Sequence, residues 1–109
     1  MKETLEDLRK RVIQRIDSDE KFKNKLMKVD KKFLVEFEGN TFYNFTIKQG
    51  SISEIMDGPI EADVTISMDS DTFNKIMSKE IDPMEAYFEK KIRIKASLLD
   101  KLFLTDLFK

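Results

Sequence analysis

Cysteine and histidine are both absent from this chain of 109 residues. Without a thiol there is no disulfide, no thiolate nucleophile and no thiolate metal ligand, and without an imidazole the commonest proton-transfer group near neutral pH is missing. The familiar catalytic and transition-metal arrangements therefore lose their usual parts. There is no excess of either charge: Lys+Arg 20 stand against Asp+Glu 21, a net charge of -1. Nucleic-acid binders concentrate positive charge, so nucleic acid is not an expected partner. Long apolar runs are lacking as well. The opening Met1-Lys2-Glu3-Thr4-Leu5-Glu6-Asp7 is too charged for the apolar stretch of a signal peptide, and no later run approaches ~18 apolar residues, so a cytoplasmic location is expected.

What the chain does contain is 40% apolar and 38% charged residues. The first can build one core and the second covers it with solvated charge, so a single domain over residues 1–109 is expected. Leu5, Leu8, Val12 and Ile16 recur at helical spacing and predict an amphipathic helix over about 4–16. Asp17 or Ser18 can cap a second helix, with Phe22, Leu26 and Met27 apolar, ending near Val29. Phe33, Val35 and Phe37 then alternate with Leu34 and Glu36. Gly39-Asn40 offers a turn before Phe42 to Ile47, which reads as a β-hairpin. Gly50 gives another turn, Ile52 to Met56 a third strand, and Ala62 to Met68 a fourth, so these strands are expected to follow one another as a meander.

Asp69-Ser70-Asp71 then starts a helix with Phe73, Ile76 and Met77 on one face. Asp82-Pro83 starts another, with Met84, Tyr87 and Phe88 facing one side. Ile92, Ile94 and Ala96 mark a last strand that would join by a crossover, and Leu98 to Phe108 a closing helix. The sum is an α+β protein with helices over one face of a sheet.

The closing helix is more apolar than a surface helix needs to be, with Lys101, Thr105 and Lys109 as its one polar row. Such a helix either closes a packed core or dimer interface, or touches core and ligand together. Phe73, Ile76, Met77, Met84, Tyr87 and Phe88 supply a second group of large, adaptable side chains suited to a core or to a cavity with a variable occupant.

The run Ala62-Asp63-Val64-Thr65-Ile66-Ser67-Met68, then Asp71 to Ile81, Asp82-Pro83-Met84-Glu85-Ala86-Tyr87-Phe88 and Lys90 to Ser97, resembles the sterol carrier protein type 2 family. The resemblance covers residues 20–108, with residues 1–19 as an added N-terminal helix. It implies a five-stranded sheet covered by helices, with an apolar tunnel that accepts fatty acids, acyl-coenzyme A thioesters, phospholipids or sterols. It also implies a carrier rather than an enzyme, with no cofactor. On that reading the ligand-binding walls are Phe73, Ile76, Met77, Met84, Tyr87, Phe88, Leu98, Leu99, Leu102 and Phe103. Lys79, Glu89 and Ala96 stand where the family often has glycine, so turns there must be made by residues that enter left-handed backbone less readily.

Competing signals are weaker. Asp63, Asp69 and Asp71 are better read as caps than as metal ligands, and Glu36 and Glu38 as outward charges on one strand face rather than an acid–base pair. Asn44-Phe45-Thr46 matches a glycosylation sequon but reads as strand. Lys21, Lys23, Lys25, Lys28, Lys31 and Lys32 form either a solvated face or a contact for anionic membranes. The main alternative to a carrier is an interaction or homodimerisation module that buries the C-terminal helix.

Overall fold

The computed structural model describes residues 1–109. Helix α1 spans Lys2–Ser18 and buries Leu5, Leu8 and Val12. Because α1 runs on to Ser18, whose hydroxyl bonds back to the Gln14 carbonyl at 2.9 Å, the cap of α2 (Glu20–Met27) falls on Asp19 instead of Asp17 or Ser18. The Asp19 carboxylate accepts the Phe22 N–H at 3.1 Å.

Strands β1 (Lys31–Phe37) and β2 (Thr41–Lys48) pair antiparallel with Phe33 opposite Phe45. Their turn is centred one residue earlier than expected, on Glu38 and Gly39, both at positive φ. Two short strands, β3 (Ser51–Ile52) and β4 (Met56–Asp57), replace the expected single strand, and both pair with β2. Between them the register slips by one residue, with Ser53 bonded to Thr46 through both its N–H at 2.9 Å and its hydroxyl at 2.8 Å. That extra residue is a bulge. It lets Ile52 and Ile55, which lie on opposite sides of an unbroken strand, both reach the core, each 5% exposed.

The expected meander ends here. Strand β5 (Val64–Met68) lies beside β1, and parallel to it, with Phe33, Val35 and Phe37 in register with Val64, Ile66 and Met68. Apolar face meets apolar face, and Asp63 locks the start: its carboxylate accepts the Lys32 N–H at 2.8 Å while its own N–H reaches the Lys32 carbonyl at 2.9 Å. The crossover therefore separates β1 from β5, whereas β6 (Arg93–Lys95) simply pairs antiparallel with β5. The sheet order is β3-β2-β1-β5-β6, with β4 alongside β2, so the six strands fill five positions.

Helices α3 (Ser70–Met77), α4 (Pro83–Phe88) and α5 (Leu98–Leu107) complete the chain, capped by Asp69, Asp82 and Ser97. All five helices feed one apolar cluster on a single sheet face. Helices α3 and α4 end alike. Lys79 and Lys90 adopt left-handed backbone (φ 65 and 63), and in each case the next N–H bonds back to the last turn, Glu80 to Lys75 O and Lys91 to Ala86 O, both at 2.9 Å. This is the closure usually made with glycine. Lys79 thus takes the glycine conformation directly, whereas at α4 it passes from Glu89 to Lys90.

Two outcomes test these helix ends. Lys79→Gly relieves about 1 kcal/mol of left-handed strain and is expected to raise stability in urea unfolding, whereas Lys79→Ala, which keeps the Cβ, is not; the reverse ranking contradicts the turn. Hydrogen bonding from Thr72 holds the Asp69 carboxyl below its ordinary value of 3.8. Its capping contribution is therefore complete above that value and lost as pH falls through the lower folded one, so the stability deficit of Asp69→Ala, about 1 kcal/mol at neutral pH, should shrink in acid.

Candidate functional site

The ten residues expected to wall a ligand fall into three environments. Phe73, Ile76 and Met77 are buried on α3. Met84, Tyr87 and Phe103 are half-buried. Phe88, Leu98, Leu99 and Leu102 stand in solvent, at 72%, 71%, 78% and 47% exposure. On α4 the buried side is Pro83 and Ala86, so Met84, Tyr87 and Phe88 do not form its inward face.

Two of the candidate wall residues, Phe73 and Phe103, belong to a chain of packed aromatic rings in the interior. Phe33 stacks on Phe45 at 5.0 Å, Phe37 packs on Phe73 at 5.4 Å, Phe73 on Phe108 at 6.1 Å and Phe33 on Phe103 at 6.4 Å. These rings run between sheet and helices, and two hollows near the candidate residues are open grooves.

Helix α5 is rotated relative to its expected polar row. Thr105 is buried, its hydroxyl donating to the Leu102 carbonyl at 2.8 Å, and Lys101 is half-buried with its ammonium 5.8 Å from the Tyr87 ring centre. Leu104, Leu107 and Phe108 face the core, while Leu98, Leu99 and Leu102 face outward.

Ion pairs fix that orientation. Lys31 at the start of β1 donates to the Asp100 carboxylate. Arg15 of α1, lying 3.7 Å over the Phe22 ring, donates to the Asp106 carbonyl at 2.8 Å and to its carboxylate at 3.4 Å, and Lys25 approaches the same carboxylate at 3.6 Å. The guanidinium thereby satisfies a carbonyl at the C-terminal end of α5 and offsets its dipole.

A groove of about 360 Å³ runs between α2 and α5, lined by Leu99, Leu102 and Phe103 with Lys25, Lys28 and Asp106 at its edges. Phe103 also packs on Phe33, so one lining side chain of the groove belongs to the edge of the core. A second groove of about 270 Å³, at the other end of α5, is lined by Ile76, Lys79, Ile81, Asp82, Pro83, Phe108 and Lys109. Phe108, Ile81 and the flanking lysines of both grooves were not singled out as wall residues from the sequence. The one available signal was the i, i+4, i+7 spacing of Lys21, Lys25 and Lys28, which places them on one face of α2.

The carboxylates weighed against a lipid site have structural partners. Glu36 accepts the Ser67 hydroxyl at 2.9 Å. Glu38, in the turn rather than on the strand, accepts both the N–H and the hydroxyl of Ser70 at 2.6 Å. Asp63 and Asp69 hold backbone N–H groups, as described above.

Residues 9–101 match the model of the SCP-2 sterol transfer family. The chain belongs to that family. No curated protein matches its sequence. Among solved structures, a crystal structure of sterol carrier protein 2 aligns with a TM-score of 0.67 at 12% identity, covering 94% of this chain and 91% of that one. The solution structure of palmitated SCP2L2 from Aedes aegypti aligns at 0.66 with 16% identity, covering 93% and 90%. The stereoselective inverting sec-alkylsulfatase Pisa1 from Pseudomonas sp. aligns at 0.59 with 19% identity over 79% of this chain, which spans only 13% of the sulfatase. At these identities the likeness is one of fold. No helix of this member is long and apolar enough to cross a membrane.

The anchoring of α5 is testable. Arg15→Met keeps the alkyl stem but removes the charged hydrogen bonds to Asp106, and is expected to lower unfolding free energy by about 1.5–3 kcal/mol in denaturant titration. A change within about 0.5 kcal/mol would mean that α5 is held by packing alone.

Proposed function

We propose that this protein is a non-enzymatic carrier of a single-chain hydrophobic lipid, a fatty acid or its thioester, taken up between α5 and the sheet. Family membership supports the general role, and the observation that carries the specific reading is Phe103. Its ring is half-buried at the floor of an open groove and lies against Phe33 of the core. A small outward swing of that ring would join the groove to the apolar interior. An acyl chain entering there would replace ring–ring contacts with its own, gaining about 0.8 kcal/mol for each methylene removed from water. The inner wall is then Phe73, Ile76 and Met77, with Leu102 and Phe103 at the entrance and Met84 and Tyr87 along the flank. Phe88, Leu98 and Leu99 remain outside.

Lys25 and Lys28 at the groove edge suit a carboxylate or phosphate headgroup left in water, where long lysine side chains need little desolvation to pair. Sterol, with no acidic headgroup, makes less use of them. A carrier also needs no activated nucleophile, and the acidic side chains near the sheet are engaged in capping and strand contacts. The same reading includes brief contact with anionic membranes, from which lipid is drawn, in the cytoplasm.

Displacement of a fluorescent fatty acid from the purified protein is expected to saturate at about one site per chain. Leu102→Asp places a charge at the entrance on a side chain that is 47% exposed and therefore tolerant of change. It should weaken the probe by at least about tenfold without unfolding the protein. Unchanged affinity in a folded Leu102→Asp variant would remove α5 from the site.

A further inference from the structure

The geometry points to a docking surface for an anionic lipid bilayer, in which Leu98, Leu99 and Leu102 of α5 enter the membrane interface and Lys21 and Lys25 of α2, with Lys28 at its C-terminal cap, rest on lipid phosphates. It rests on the carrier reading and deepens it by assigning the face and the residues that meet the membrane.

The argument begins with α5. Residues 98, 99 and 102 share its outward sector, with 103 and 106 on the half-buried border of it, at a spacing of about 100° per residue. Four of them are Leu or Phe, and the three leucines are 71%, 78% and 47% exposed. Isolated exposed leucines are ordinary on protein surfaces, but adjacent ones on a single helical turn, beside an open apolar groove, form a patch. The one acid in that sector is Asp106, whose carboxylate is paired with Arg15 at 3.4 Å, while the exposed Lys25 ammonium stands beside it at 3.6 Å and also faces solvent. Asp100, at the start of the helix, is paired with Lys31. The face therefore presents apolar side chains with its negative charges covered.

The rim decides the occupant. Lys25 and Lys28 line the groove beside Leu99 and Leu102, and Lys21 continues their row on α2, all three exposed. Each basic side chain near an anionic surface adds to attraction, while inserted leucines add an apolar contribution that salt does not screen. A second copy of the chain would bring the same cationic rim against itself, so charge complementarity favours an anionic surface over a homodimer. Entry of a lipid tail beside Phe103 would then occur at the same face that touches the bilayer.

Lys23 supplies the control. It lies on the far side of α2, in a groove with Ile16, Asp17, Ser18, Glu20 and Asn24. Lys23→Glu and Lys28→Glu change net charge equally and differ only in face. Sedimentation with phosphatidylcholine–phosphatidylglycerol vesicles should show binding that weakens as salt rises. Lys28→Glu should reduce that binding several-fold more than Lys23→Glu, and Leu98→Ser with Leu99→Ser should lower the partition constant by at least about tenfold. Circular dichroism confirms that each variant is folded. Equal loss in the two charge variants, or wild-type binding by the double leucine variant, overturns the proposal. So does a wild type that ignores vesicles, including one that forms a dimer abolished by the leucine substitutions. Displacement of the fluorescent fatty acid by the wild type is read separately. Displacement without vesicle binding defeats the docking surface alone, whereas vesicle binding without displacement defeats the carrier reading and leaves the surface standing.

Discussion

The in-register meeting of β1 with β5 is the contact on which the remaining architecture depends. Phe33, Val35 and Phe37 project from one face of β1 and find Val64, Ile66 and Met68 level with them on a parallel neighbour. A slip of one residue would turn either triplet toward solvent. Parallel pairing also obliges the chain to cross from one side of β1 to the other, and this leaves α3, α4 and α5 on the covered face with α1 and α2. The Asp63 carboxylate, bonded to the Lys32 N–H, marks the register at its first step.

On that foundation α5 is placed by two kinds of force with different reach. Burial of Leu104, Leu107 and Phe108 holds its inner side, a term insensitive to salt. Ion pairs through Asp100 and Asp106 fix its rotation, and these involve α1, α2 and β1. Rotation decides that Thr105 rather than Leu102 is covered. Membership of the SCP-2 sterol transfer family fixes the fold within which this helix works, while its outward leucines and its neighbouring lysines are properties of this chain.

Much of the fold was legible in the sequence because local signals and tertiary packing agreed. The alternation of Phe33, Val35 and Phe37, the Asp69 and Asp82 caps and the Pro83 helix start all appear in the structure. What escaped was non-local. No pattern in residues 52–56 announces a bulge, since Ile52 and Ile55 reveal their common face only when both are buried. Strand order likewise depends on partners distant in sequence. For the site, residue type identified the apolar clusters, but not which members face inward. Leu98, Leu99 and Phe88 are exposed whereas Phe73 and Ile76 are buried, and hydrophobicity alone does not separate them. The lysines of α2 were noticed as charge, and only their placement beside α5 gives them a direction.

A small β-sheet protein that also displays leucines to water faces a danger of self-association through its sheet edges. The slip at Ser53–Ile55 divides the outer margin into two strands of two residues each, and Arg93 and Lys95 point outward from the three-residue strand at the opposite margin. Neither margin offers the long, flat row of free backbone groups on which another chain could add a strand. The interruption that brings Ile52 and Ile55 into one core thus also keeps the sheet finite, so that a sticky helical face can be tolerated without recruiting the sheet into fibrils.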